Sequence, residues 1–303
     1  MKHRDAFYYI LILIAVCCWG VSFVFTTGTF QLCEMTPVAL IFFRLLIAAP
    51  LQVIVCALFF RQRLREIPRQ DWFYLLSLSL FEPFLYFIFE TYSLKVTGDA
   101  TIVSVIIATI PIFTVFLSVF YFKENLSKLN IFGVIASVIG VIIMLAPKFG
   151  SSGANHLGLL LAFGAVLTAV GYSFFLRKIS DRYNPIFIVS CQNTMGLLLL
   201  VPLMFILHSP DELHAQFSYL GNPAVLKYVL LLAIFCSAIA YTLYIVGLQR
   251  VGLGRANTST NLIPVVTGIF AYFFINEPFP ALKIIGAIIV VAGVWCVQIK
   301  LEK

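Results

Sequence analysis

Residues 110–141 read IPIFTVFLSVFYFKENLSKLNIFGVIASVIGV, and residues 263–294 read IPVVTGIFAYFFINEPFPALKIIGAIIVVAGV. One gapless offset of 153 residues carries Pro111 onto Pro264, Glu124 onto Glu277, Gly133 onto Gly286 and Gly140 onto Gly293 (264 − 111 and 293 − 140 both give 153). Upstream the match continues with a small shift, Gly98-Asp99-Ala100 against Gly254-Arg255-Ala256 and Tyr86 against Tyr241. Self-similarity over such a length marks a duplicated structural unit.

The composition says what that unit is made of. Of 303 residues 61% are hydrophobic and only 11% charged, with a mean hydropathy of +1.02, more apolar surface than one soluble core could bury. Apolar runs of about 20 residues recur between short polar breaks, the length a helix needs to cross roughly 30 Å of hydrocarbon. Ten such spans are expected, at 8–27, 37–60, 72–94, 99–122, 130–147, 156–176, 185–207, 225–247, 254–275 and 282–300. The first follows a short basic start but is too long for a secretory core and lacks a small-residue cleavage signal, so it reads as a retained helix.

Taking the loops alternately, one side collects fifteen Lys and Arg and the other only Lys95, Lys148, Lys227 and Lys283, with Arg44 left inside the second span. By the positive-inside rule both termini are expected in the cytoplasm. The same distribution accounts for the formal charge of +7 without a nucleic-acid partner, since the basic residues form no single patch. Seven scattered cysteines show no metal-ligand spacing and read as packing residues. No loop is long enough for a soluble enzyme module, and no Ser-His-Asp, His-rich or carboxylate-metal constellation stands out, so no enzyme, metal or cofactor is expected.

Each repeat covers five helices, and five is odd. A tandem copy of an odd-numbered unit must insert upside down, giving an all-α integral membrane fold of two inverted five-helix repeats, 8–147 and 156–300. Inverted repeats typify secondary transporters, with the solute site near the midplane between halves. Pro111 and Pro264 sharpen this, because each denies a hydrogen bond to the carbonyl four residues back, on Ile107 and Thr260. Interrupted helices at matching places point to the binding region, whereas the plainer reading is a kink satisfied by neighbours. Gly133, Ser137 and Gly140, like Gly286 and Gly293, form a small-residue stripe read as close helix packing, with a homodimer contact as the alternative.

At these residues the chain resembles the drug/metabolite transporter superfamily, in particular its ten-helix members with two EamA domains. The carriers are WGVSF from Trp19, RLLIAAP from Arg44, YSLKVTGDATIVSVIIATIPIF from Tyr92, and the two closures at Pro111 and Pro264. The resemblance implies transport, by export, of a small polar or amphipathic metabolite such as an amino acid across the inner membrane, and names no solute. The second half departs from the pattern, with Gly171-Tyr172 in place of a Trp-Gly pair and no arginine near Gln192.

Only Arg44, Glu82 and Glu90 are charges clearly inside spans. Each costs about 2.5–3.5 kcal/mol near the bilayer centre and so is expected to face a polar interior or a partner. Glu82 is expected roughly 15 Å into its span, with Tyr86 on its face and Glu90 about 80° around an unbroken helix. Two readings stand: a structural pair between Arg44 and a glutamate, or a site, centred on Glu82, that exchanges a proton or holds a cationic solute. Gln192, Asn193, Asn257 and Asn261 suit orienting a polar solute, although amides more often bond between helices. Trp19, Tyr86, Tyr241 and Tyr244 are candidates for an aromatic lining. The expected partners are thus a small solute and membrane lipid, with coupling to protons or uncoupled diffusion both open, and a non-transporting membrane receptor or a membrane enzyme as the alternative from another class.

Overall fold

A computed structural model describes residues 3–59, 67–123, 127–145, 156–275 and 281–298, and among them the chain is helical without a strand. Ten long helices follow in order: α1 (His3–Leu32), α2 (Pro37–Phe59), α3 (Arg69–Thr97), α4 (Ala100–Tyr121), α5 (Lys128–Leu145), α6 (His156–Ile179), α7 (Pro185–Leu207), α8 (Pro223–Val251), α9 (Leu253–Ile275) and α10 (Ala281–Gln298). Eight, α1–α4 and α6–α9, are long and apolar enough to cross a membrane, whereas α5 and α10 carry shorter apolar stretches, Lys128–Ile143 and Ile284–Cys296. Glu124 and Glu277, two landmarks of the repeat, lie outside the described residues, as do the loop cations Arg61, Arg63, Arg65, Lys148, Lys300 and Lys303.

The helix ends follow local chemistry. The Asp99 carboxylate accepts from the Ile102 N–H at 2.9 Å to open α4, directly after Gly98 closes α3 in the left-handed conformation (φ 62°). Asn184 and Asn222 cap α7 and α8 in the same way, each followed by proline at the first helical position, where its missing N–H costs nothing. Large apolar side chains such as Phe59, Phe120, Ile206 and Phe273 point outward with more than two-thirds of their surface exposed, the face a lipid-embedded bundle presents.

The helices α5 and α10, repeat equivalents of each other, pack at backbone contact. A Cβ on Gly140 would stand 2.7 Å from the Gly286 carbonyl oxygen, and one on Gly293 would stand 2.7 Å from that of Gly133. The pairing is crossed, early residues of one helix meeting late residues of the other, so the two helices run antiparallel. The small-residue stripe is therefore filled from within the chain, as the close-packing reading expects.

The connection between α7 and α8 contains a short helix, Pro210–Ser218. Ser209 and Glu212 form a reciprocal capping box, and hydrogen bonds from the Ser209 backbone N–H and hydroxyl hold the Glu212 carboxyl below its ordinary range. A depressed carboxyl pKa stabilises above the unfolded value and ceases to do so as pH falls through the folded one. Amides of 210–218, after correction for intrinsic exchange, should therefore lose protection at about pH 3 relative to about pH 7; equal protection would contradict the cap.

Candidate functional site

The third span contains the sequence Glu82-Pro83, and this pair breaks α3. Proline disfavours helical backbone at the residue before it, and Glu82 sits at φ −152°, ψ 121°, within a π-helical turn over Leu80–Leu85. The unbroken-helix geometry expected from sequence is thus corrected: Glu82 is turned out of the helical track, and its angular relation to Tyr86 and Glu90 is set by the break. A second π-helical stretch, Leu232–Ile239, occupies the comparable part of α8. Such turns widen a helix locally and free backbone groups, and they recur at functional sites.

Both spans that carry the repeated prolines, Pro111 and Pro264, change geometry beside them. The first segment of α4 ends at Ile107 and helix resumes at Ile110; α9 passes through a 3-10 turn, Thr260–Leu262, and resumes at Ile263. In that turn the Thr260 carbonyl, denied a partner by Pro264, accepts from the Ile263 N–H.

These distortions surround one cavity of about 60 Å³. Its walls draw equivalent positions from the two halves: Trp19 and Tyr172, Tyr86 and Tyr241, Ile107 and Thr260, Ile110 and Ile263. Arg44, Glu82 and Glu90 all line it, and they are only 4%, 7% and 6% exposed. The volume is about that of two water molecules, against some hundreds of Å³ in a site holding a metabolite. The space beside the charged groups is therefore too small for a metabolite.

Each charged group is held by a different neighbour. The Tyr241 hydroxyl donates to Glu82 and the Tyr86 hydroxyl donates to Glu90 at 3.3 Å. The Arg44 Nε donates to the Ser237 hydroxyl, in the π-helical stretch of α8, and its guanidinium lies 4.0 Å over the Phe87 ring. Among the described residues no ion pair within 4.0 Å joins Arg44 to either glutamate, so the three charges share a cavity without a direct bridge. Tyr241 is also the hub of the rings, 5.0 Å from Trp19 and 6.4 Å from both Tyr172 and Phe87, centroid to centroid. Trp19 is itself fixed, its Nε1–H donating to the Cys236 carbonyl at 3.2 Å.

The amides divide. Asn257 lines the cavity, accepting from the Tyr244 hydroxyl and donating to Ser173 at 3.1 Å. Asn193 does not line it and donates to the Ser237 carbonyl at 3.3 Å, buttressing the segment that holds Arg44. Gln192 accepts from Tyr172 at 3.4 Å with its Nε2 buried and unpartnered, and Asn261 bonds Ser137 of α5. Neither of these last two lines the cavity, and neither do Pro111 and Pro264 themselves. Tyr172, Ser173, Phe87 and Ser237 are site residues that the charge-led reading of the sequence passed over or left unassigned.

Tyr241→Phe removes the hydroxyl that donates to Glu82 while keeping the ring contacts. Loss of one hydrogen bond to a buried charged group predicts a fall in turnover of roughly 10-fold with the thermal midpoint little changed; wild-type turnover would show that the Tyr241 hydroxyl is not used.

A bundle of helices long and apolar enough to cross a membrane, gathering both signs of charge on one narrow cavity at the meeting of equivalent segments, fits a solute carrier. The chain belongs to the EamA-like transporter family, whose profile matches residues 6–146 and 156–299. Two relatives described as uncharacterized transporters of Archaeoglobus fulgidus are 24% and 28% identical, covering 95% and 96% of this chain and 98% and 97% of their own. A Salmonella typhimurium protein described as a probable amino-acid metabolite efflux pump is 24% identical over 97% of this chain and 95% of its own. A solved crystal structure shares the fold, with a TM-score of 0.75 at 17% identity and 97% coverage of both chains. The protein is accordingly a multi-pass membrane transporter.

Proposed function

We propose that the protein is a proton-coupled exporter of a small amphipathic metabolite, an amino acid or a related zwitterion, across the inner membrane. In this reading all ten helices span, as inverted repeats 8–147 and 156–300 with both termini cytoplasmic. The antiparallel packing of α5 against α10 supports inversion, and the fifteen-to-four division of basic loop residues supports the orientation. The observation that carries the function is the convergence of Arg44, Glu82 and Glu90 with the rings of Trp19, Tyr86, Tyr172 and Tyr241 on one cavity. A guanidinium complements a carboxylate and a carboxylate complements an ammonium group, and rings accept the apolar part of the solute. The amino-acid description of the Salmonella relative agrees with this chemistry.

Glu82 is the residue assigned to the proton. It accepts from Tyr241 across the cavity, at the break in α3, where rocking of one half against the other would remake its contacts. Glu90 and Arg44 are assigned to the solute's charged ends, and Asn257 to its orientation. Counterflow in proteoliposomes should show competition by amino acids and loss of competition, roughly 10-fold or more, on esterifying the carboxylate or acylating the amine. Equal competition by zwitterions and their blocked derivatives would contradict recognition by both charges.

A further inference from the structure

Two sets of contacts join the halves of the chain at opposite ends of the bundle, and they differ in kind. At the start of α3, Asp71 is 3% exposed and accepts from the Arg182 guanidinium at 2.6 Å and from the Tyr183 hydroxyl at 2.8 Å. Asp71 belongs to the first half of the chain, and Arg182 and Tyr183 belong to the α6–α7 connection of the second. The same connection is tied down by Gln249 near the end of α8, whose Nε2–H donates to the carbonyls of Ser180 at 2.5 Å and Tyr183 at 3.3 Å. Burial and the adjacent carboxylate push the Tyr183 hydroxyl up to about 12, so it stays a donor to Asp71 through the physiological range.

A second contact between halves lies at this end. Lys178, one turn before the connection, places its Nζ 4.7 Å from the ring centroid of Tyr121, the last residue of α4, and 5.7 Å from that of Phe122. At the opposite end the bridging groups are an amide, a hydroxyl and an imidazole: the Thr36 N–H donates to Gln216 at 2.9 Å, and the Thr36 hydroxyl meets His208 Nε2 at 2.8 Å. There α8 begins at Pro223 with the fully buried, apolar Val225 close behind.

We propose that Asp71, Arg182 and Tyr183 form an ionic latch that holds the α6–α7 end of the transport path closed and must break each time that end opens. A carboxylate this buried cannot lose both donors without being rehydrated, so the latch opens only with water entry between the halves. The latch rests on the transport reading only in requiring that the two ends open alternately; it is independent of which solute is carried and of proton coupling.

The test is side-specific access to the cavity. With the seven native cysteines replaced, Ala169→Cys places a reporter on the cavity wall, and Asp181→Cys in a parallel protein marks the side on which the α6–α7 connection lies. A membrane-impermeant thiosulfonate is applied to either side of sealed vesicles. Asp71→Asn should speed labelling of the cavity reporter roughly 10-fold or more from the side that labels Asp181→Cys, and not from the other, as expected for loss of a charge-assisted bond to a buried carboxylate. Tyr183→Phe, which removes a single hydrogen bond and spares the charge, should give a smaller rise from the same side and remains informative if Asp71→Asn fails to fold. Unchanged labelling in the folded variants, or a rise from the opposite side, overturns the latch. Because the readout needs no substrate, failure of the transport proposal would leave it unaffected.

Discussion

Glu82→Gln should abolish transport driven by a proton gradient, a loss on the order of 100-fold or more, while leaving a folded protein. The glutamine keeps the size of the side chain and an oxygen to accept from Tyr241, but it cannot take up or release a proton. Glu82 already lies at a break in α3, where Pro83 and the π-helical turn set the backbone, so the amide adds no new strain to a regular helix. Removing a charge from an interior without a direct ionic partner relieves desolvation, and the thermal midpoint should hold or rise. Solute counterflow, which needs no net proton movement, separates the outcomes: if it persists while uphill transport is lost, Glu82 carries the proton. If uphill transport persists, the proton passes elsewhere, with Glu90 the next carboxyl on the same wall.

The second large effect is expected in the pair α5 and α10 rather than at the site. Gly293→Val inserts a Cβ 2.6 Å from the Ser137 backbone nitrogen and 2.7 Å from the Gly133 carbonyl oxygen. Both obstacles are backbone of a regular helix, so relief requires α5 and α10 to separate. Overpacking of this kind costs about 1–3 kcal/mol and more where the neighbour cannot yield. Gly140→Val, which meets the Gly286 oxygen at 2.7 Å and the Val290 nitrogen at 2.8 Å, should behave alike because the two sites are equivalent in the crossed pairing. Thermal unfolding in detergent is the measurement; an unshifted midpoint in both variants would show that this contact is looser than the geometry requires.

Much of this architecture is written plainly in the chain, for a physical reason. Hydrocarbon demands long uninterrupted apolar runs, so α7 begins and ends where the sequence expectation put it, at 185 and 207, and caps such as Asn184-Pro185 sharpen the edges. The gathering of Arg44, Glu82, Glu90, Trp19, Tyr86, Tyr241 and Asn257 on one cavity follows from the cost of leaving such groups toward lipid. The break at Glu82 is equally legible in the Glu82-Pro83 pair, although Pro83 has no counterpart in the repeat to single it out from other prolines inside helices such as Pro50 and Pro202. Gln192, Asn193 and Asn261 could not be separated from Asn257 by type, because an amide that lines a cavity and one that ties helices together look the same in sequence.

The latch shows the other limit. Asp71 and Arg182 are 111 residues apart, each within a short polar break, where charge is the default for a solvated loop. Only the fold reveals that Asp71 is buried, and burial is what gives the contact its meaning. The assignment of Arg44 was open for a related reason: depth along a helix axis permitted a pair with either glutamate, whereas Ser237 and Phe87, from α8 and from α3 itself, hold the guanidinium apart from both.

The most direct measurement is uphill movement of a labelled amino-acid panel in proteoliposomes of the wild-type protein, with and without an imposed pH gradient. The proposed mechanism predicts accumulation of at least one zwitterionic solute that follows the gradient's sign and collapses when a protonophore dissipates it. Flux that ignores the gradient would make the protein a facilitator and contradict proton coupling at Glu82.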